Sequence, residues 1–353
     1  MKDHLFPQDY TFQELVSLFS QRYGKTEYHA SAFFRHFYSY GNTDVTGNTV
    51  FSENQKLARL IDSDFHTFMP EIIEEKQEEG VRKLALRLAD SAVIETVILS
   101  MQGYNTICIS SQVGCRWGCA FCRTAKMGFV RNLSSGEIIS QVLVAVFVLK
   151  MRVRNIVFMG MGEPLDNVDA VLKAVEVVSD QRGLNIPKKR ITVSTVGFLP
   201  GLKALKNRIL AEPDKGFDSL RIAVSLNAAD EETRNRLMPV NRKYSMEELH
   251  SVLNNYPIHN KQKGFFIEYV LISGVNNSFE DALALTEYLK DLNACVNIIP
   301  LNPGAEQSLR KPNNEEVANF FYWLTEIGQS ARVRNTKGRS ICAACGQLVR
   351  TGQ

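Results

Sequence analysis

Past residue 130, strand-like and helix-like segments of this 353-residue chain alternate, and that rhythm restricts the fold more than anything else in it. Glu137 to Lys150 reads as a helix and Asn155 to Met159 as a buried strand. Strands are then predicted at Ile191 to Ser194, Leu220 to Leu226, Phe265 to Leu271 and Val296 to Pro300. Between them the helical period is clearest over Val168 to Val178, Met246 to Asn255, Glu280 to Leu292 and Glu315 to Ile327. Such alternation implies an α/β fold, a parallel sheet with right-handed crossovers. Six or so units suit an incomplete barrel better than a closed eight-fold one.

Upstream the pattern changes twice. VRKLALRL at 81–88, Ile94 to Leu99 and Thr106 to Ser110 are β-rich and closely spaced, which predicts a small antiparallel extension. Residues 1–80 carry helical spacing instead: Phe12, Leu15, Leu18 and Phe19, then Phe33, Phe34 and Phe37, then Gln55 to Met69. The expected organisation is a helical accessory domain over 1–80, able to contact RNA, and a catalytic domain over 81–353. The latter divides into the β extension (81–110), the partial barrel (111–330) and a tail (331–353).

Composition excludes little: 44% apolar and 22% charged residues are ordinary for a globular protein. No apolar run reaches the ~20 residues that span a bilayer, and MKDHLFPQDYTF lacks a secretory pattern. A cytoplasmic location is therefore expected, where seven cysteines read as metal ligands or catalytic thiols rather than a disulfide scaffold. A net charge of +3 permits nucleic acid without announcing it. The clusters Lys188-Lys189-Arg190 and Arg332, Arg334, Lys337 and Arg339 suit RNA contact and solvated surface about equally.

CRWGCAFCRTAKMGF sets three thiols at C-x3-C-x2-C, on Cys115, Cys119 and Cys122. A structural zinc site closes with four ligands, and the loop supplies three. Three leaves one iron of a [4Fe–4S] cubane open, able to chelate the amino and carboxylate groups of S-adenosylmethionine. Phe121, just before the third cysteine, would shield such a cluster from solvent. Taken singly, Cys108 reads as a buried strand cysteine, Cys345 as a spare thiol and Glu95 as the partner of some basic neighbour. Cys295 is expected in the core.

C-x3-C-x2-C after a first barrel strand is the signature of the radical S-adenosylmethionine superfamily. CISSQVGC, Phe158 to Leu165 (FMGMGEPL), VSTVG, SLNAADEETRNRLMPVN, EYVLISGVNNS, IIPLNPG and CAACGQL stand in family order. Together they resemble the RlmN/Cfr family of radical-SAM RNA adenosine methyltransferases, over nearly the whole chain. The resemblance implies cluster ligation by Cys115, Cys119 and Cys122. It implies S-adenosylmethionine contacts from Gly162, Glu163, Ser194, Ser225, Leu226, Asn227 and Asn302. It implies a methyl-carrying Cys345, a general base Glu95, and Cys108 as the thiol that forms a transient disulfide with Cys345.

The implied chemistry runs in two stages. The Cys345 thiolate takes a methyl from one S-adenosylmethionine. A second is cleaved to a 5′-deoxyadenosyl radical, which removes hydrogen from that methyl, and the carbon adds to an adenine ring. Glu95 then takes the ring proton, and Cys108 attacks the Cys345 sulfur to release the base. The partners implied are ribosomal or transfer RNA and an electron donor such as flavodoxin, with the enzyme a monomer. Glu163-Pro164 and Ala228 look more like the RlmN branch, which implies carbon 2 rather than carbon 8.

Some positions depart from the pattern: Cys342 where the family is acidic, Asn227 where it has His, and a bulky, basic loop through Arg116, Trp117 and Arg123. Two other readings are weighed against the first, a radical enzyme with a non-RNA substrate and a non-catalytic metal-binding RNA-interaction protein.

Overall fold

The structure, a computed structural model, describes residues 4–257, 264–302, 308–334, 338, 341–343 and 346–348. Three helices open the chain: α1 (Phe12–Tyr23), α2 (Glu27–Tyr40) and α3 (Gln55–Asp64). Thr11 and Glu14 form a capping box at the start of α1, satisfying two N–H groups the helix leaves open. Phe19, Phe33 and Phe65 are buried and pack tilted on one another, within a hydrophobic core that runs on into the sheet.

The strands follow as β1 (Glu71–Glu78), β2 (Val81–Arg87), β3 (Val93–Met101), β4 (Tyr104–Cys108), β5 (Gln112–Gly114), β6 (Phe129–Asn132), β7 (Val153–Phe158), β8 (Ile191–Thr195), β9 (Arg221–Ser225), β10 (Phe265–Leu271), β11 (Ala294–Pro300) and β12 (Ala331–Val333). Ten of them make one sheet in the order β1-β2-β3-β4-β7-β8-β9-β10-β11-β12. Pairing is antiparallel through β4 and parallel from β4 onward, so a partial barrel carries an antiparallel extension on its first strand. Among the described residues β12 pairs with β11 and not with β4, and the barrel stays open there.

The remaining helices are α4 (Arg123–Lys126), α5 (Ser135–Leu143), α6 (Val168–Ser179), α7 (Leu199–Ala211), α8 (Glu231–Leu237), α9 (Met246–Asn254), α10 (Phe279–Leu289) and α11 (Asn314–Glu326). Capping boxes start α5, α9, α10 and α11, each a Ser or Asn bonded to the acidic residue three places on.

Three expectations need correction. The first 80 residues are not all helical: Glu71–Glu78 is an edge strand, its row of charges serving where one side of the ladder meets water. The helix predicted over 137–150 ends at Leu143 and passes into a π turn, Val144–Val148. Helices α7 and α8 and strand β12 have no forerunner in the sequence reading. Cys295, expected in the core, is only half-buried on β11.

Candidate active site

A cavity opens at the C-terminal ends of the parallel strands. Ligand sites form there in α/β folds because strand-end loops converge with their backbone groups free. Cys115, Cys119 and Cys122 line one side of it, beside Phe121. The loop that bears them is pinned at both ends. The Cys115 N–H donates to the Gly128 carbonyl (2.9 Å) and the Arg123 N–H to that of Gly346 (2.8 Å). Gly114 has a left-handed φ of +76°, and a side chain there would collide with the Gly128 carbonyl. The bulk of Trp117 is buried against Phe198 and Tyr244, while Arg116 pairs with Asp166 (2.9 Å) and lies over Phe129.

Burial pushes the Cys115 thiol up to about 12, and that of Cys119 well up, each raised further by the neighbouring cysteines. Three thiolates so placed repel one another and gain from a cationic centre, which must displace their protons to bind. Among the described residues no three His, Cys, Asp or Glu close to single-ion distances. A cubane takes one thiolate on each of three irons and so spreads its ligands wider. The donor set fits a [4Fe–4S] cluster.

Opposite the cysteines, the cavity is lined by Gly162, Glu163, Ser194, Ser225, Asn227 and Asn302, six of the seven positions named for S-adenosylmethionine. Leu226 does not line it; that side chain turns into the core, and its N–H bonds the Glu268 carbonyl (3.1 Å). Gly162 holds φ +96° against Gln112, a place only glycine fits. Glu163 is buried, and its carboxylate accepts from the N–H groups of Val196 (2.8 Å) and Leu165 (3.0 Å). Burial nevertheless pushes its carboxyl up to about 7, against the lowering effect of those bonds. Asn227 is already engaged: its Oδ1 accepts from the Val270 N–H (2.8 Å) and its Nδ2 donates to the Met238 sulfur (3.2 Å). Here the amide shapes the loop, with φ +61° at its own backbone.

Glu95 and Cys108 lie away from this cavity, on the extension. Register places Val97 opposite both Lys83 and Cys108, so Lys83, Glu95, Val97 and Cys108 share one face of β2, β3 and β4. Thr96, on the other face, bonds Gln141 of α5 (2.8 Å). Glu95 is fully buried and pairs with Lys83 at 2.7 Å; their side chains are 0% and 4% exposed. Lys83 also donates to the carbonyl of Cys342 (3.1 Å), and Arg123 to the Cys342 sulfur (3.5 Å). The tail thus touches both places, since Gly346 lines the cavity. Cys345 lies outside the described residues, as do Lys337 and Arg339.

Arg234, Glu268 and Asn297, which line or brace the cavity, had no part in the sequence reading. Arg234 on α8 is 1% exposed and donates to the carbonyls of Val196 (2.9 Å) and Leu226 (3.1 Å), tying two cavity loops together. Ser225, Glu268, Asn297 and Arg332 sit side by side across β9 to β12. Within that row Glu268 accepts from Asn297 (2.6 Å) and from Arg334 (3.3 Å), so Arg334 is no loose surface charge. The available signal was a lone charge in an apolar strand, in FFIEYVL as in VIETVIL.

A family model described as the radical SAM superfamily matches residues 109–286. The chain is 40% identical to a probable dual-specificity RNA methyltransferase RlmN 1 of Protochlamydia amoebophila, over 96% of this chain and 92% of that protein. With the dual-specificity RNA methyltransferase RlmN of Syntrophotalea carbinolica the identity is 38%, over 97% and 88%. A solved structure of a radical SAM methyltransferase from Sphaerobacter thermophilus superposes with a TM-score of 0.86 at 34% identity, covering 97% of this chain and 98% of that one.

Proposed function

The chain belongs to the RlmN family of radical SAM RNA methyltransferases, and from that premise we propose that it methylates carbon 2 of an adenine in ribosomal or transfer RNA by way of a methylated Cys345. Its cofactors are a [4Fe–4S] cluster and S-adenosylmethionine, which together supply a 5′-deoxyadenosyl radical on reduction. Cys115, Cys119 and Cys122 would hold the cluster. Glu163 offers a carboxylate to the ammonium of S-adenosylmethionine, with Ser194, Ser225 and Asn302 around it.

Cys345 takes the methyl by displacement, since an electrophilic ring carbon cannot attack a sulfonium methyl itself. Once the carbon is joined to the ring, Glu95 accepts the ring proton. Once the unpaired electron has left the adduct, the Cys108 thiolate attacks the Cys345 sulfur. The carbon–sulfur bond breaks and its electron pair goes to the carbon, which takes a proton to become the methyl group. The resulting disulfide is reduced for the next turnover. The observation that carries this reading is the shared face of Glu95 and Cys108, with Cys342, three residues before Cys345, bonded to the lysine that pairs with Glu95.

Nucleoside mass spectrometry of total RNA from cells with and without the gene tests it. Loss of 2-methyladenosine is expected on deletion. Loss of 8-methyladenosine would move the reaction to carbon 8, and an unchanged nucleoside profile would remove RNA as the substrate.

A further inference from the structure

We propose that Lys83 is a positioning residue that locks the base to the cysteine-bearing tail, so that ring deprotonation is competent only with the tail docked. This rests on the reading of Glu95 as base. Lys83 never meets the substrate in this scheme; it acts through Glu95.

The geometry is specific. One ammonium group, with three N–H donors, reaches Glu95 Oε1 at 2.7 Å and the Cys342 carbonyl at 3.1 Å. The first acceptor is on the neighbouring strand and the second is 259 residues away in the chain. Such a buried pair is a poor device for stability alone, because apolar side chains of equal volume commonly do as well. A hydrogen bond from the same lysine to the tail makes sense if both ends must be held together.

Among the described residues, the charged and titratable groups on the face of Glu95 include Lys83 on β2, Glu74 and Lys76 on β1, Cys108 on β4 and Cys342 of the tail. Lys76 has its own partner in Glu74 (2.8 Å), and Arg123 leans on Cys342. Among the described residues Lys83 is a cation in direct contact with the carboxylate. In the step itself the ring C–H bond breaks, its electron pair stays in the ring, and the proton passes to a Glu95 oxygen. Lys83 keeps that oxygen anionic beforehand in a site water does not reach.

The test uses cluster-loaded enzyme and an RNA substrate, comparing Lys83→Met, Lys83→Arg and Glu95→Gln. Mass spectrometry of the protein should show Cys345 still methylated in Lys83→Met. Turnover should fall about 100-fold or more, with a covalent protein–RNA adduct accumulating on denaturing gels. The acidic limb of its kcat profile should move upward by about one pH unit or more, since a carboxyl stripped of its cation holds its proton harder. Lys83→Arg should restore the limb. Should Lys83→Met not fold, Lys83→Gln, which keeps a donor and drops the charge, decides by the same limb.

Normal turnover and an unmoved limb in the neutral variants, with Glu95→Gln inactive, overturn the role of Lys83. Loss of Cys345 methylation along with turnover also overturns it, leaving Lys83 a mere fold contact. Full turnover by Glu95→Gln is a different result, and it removes the base reading itself.

Discussion

Glu95 and Glu163 are both buried carboxylates, one on the antiparallel extension and one in the loop that follows the parallel strand β7. Glu95 has a lysine in contact, equally buried. Glu163 has the N–H groups of Val196 and Leu165 and the Thr195 hydroxyl, and burial wins, lifting its carboxyl to about 7. A carboxylate with its own cation keeps its charge whatever else is bound. One without a cation gains its charge fully when a cationic ligand arrives. The first arrangement suits a base that must be ready, the second a seat for an ammonium group.

Replacing each by glutamine should separate the two. Glu95→Gln should lower RNA methylation roughly 100- to 10,000-fold, the usual worth of a general base, while Cys345 still becomes methylated; nucleoside and intact-protein mass spectrometry read both. A Glu95→Gln enzyme without methyl on Cys345 would put the two carboxylates in one role. Glu163→Gln should fail earlier, binding S-adenosylmethionine roughly 100-fold more weakly for want of a charge partner. Equilibrium dialysis measures this, and Glu95→Gln should bind within about twofold of the parent.

The same contrast predicts a pH effect on the cofactor-free protein. The folded-state pKa of Glu163, about 7, lies above its ordinary 4.5, so folding is favoured by protonation there. That stability is whole below pH 4.5 and is lost as pH rises through 7, by about 3 kcal/mol from this group. Urea titrations across that window should show the decline, and Glu163→Gln should flatten it. The smallest effect belongs to a surface pair on the same extension. Arg87 and Glu71 meet at 2.9 Å but are 48% and 64% exposed. Arg87→Gln should change stability by under about 0.5 kcal/mol, which marks how far exposure dilutes what burial concentrates at Lys83.

Much of the frame was legible beforehand. Phe265 to Leu271 was predicted to the residue, and the helix at 168 within one position, because period and caps are local properties. The acidic strand β1 escaped, since EIIEEKQE has the composition of a solvated loop and pairs only as an edge. Glu95 was expected to meet some basic neighbour; the sequence offered no way to choose Lys83 over Arg82 or Arg87. Sheet register chose it, by turning Lys83 and Glu95 to one face and Arg82 to the other.

By itself, then, the sequence determined which thiols could share a metal centre, because Cys115, Cys119 and Cys122 are near in the chain wherever the loop goes. It also determined the alternation that builds the sheet. Only the tertiary structure decided that Glu163 has no cation in contact among the described residues, that Arg234 clamps two loops, and that Lys83 joins Glu95 to a tail 259 residues on. Those contacts depend on register and on the chain's return to its own first strands. Neither leaves a periodic trace along the sequence.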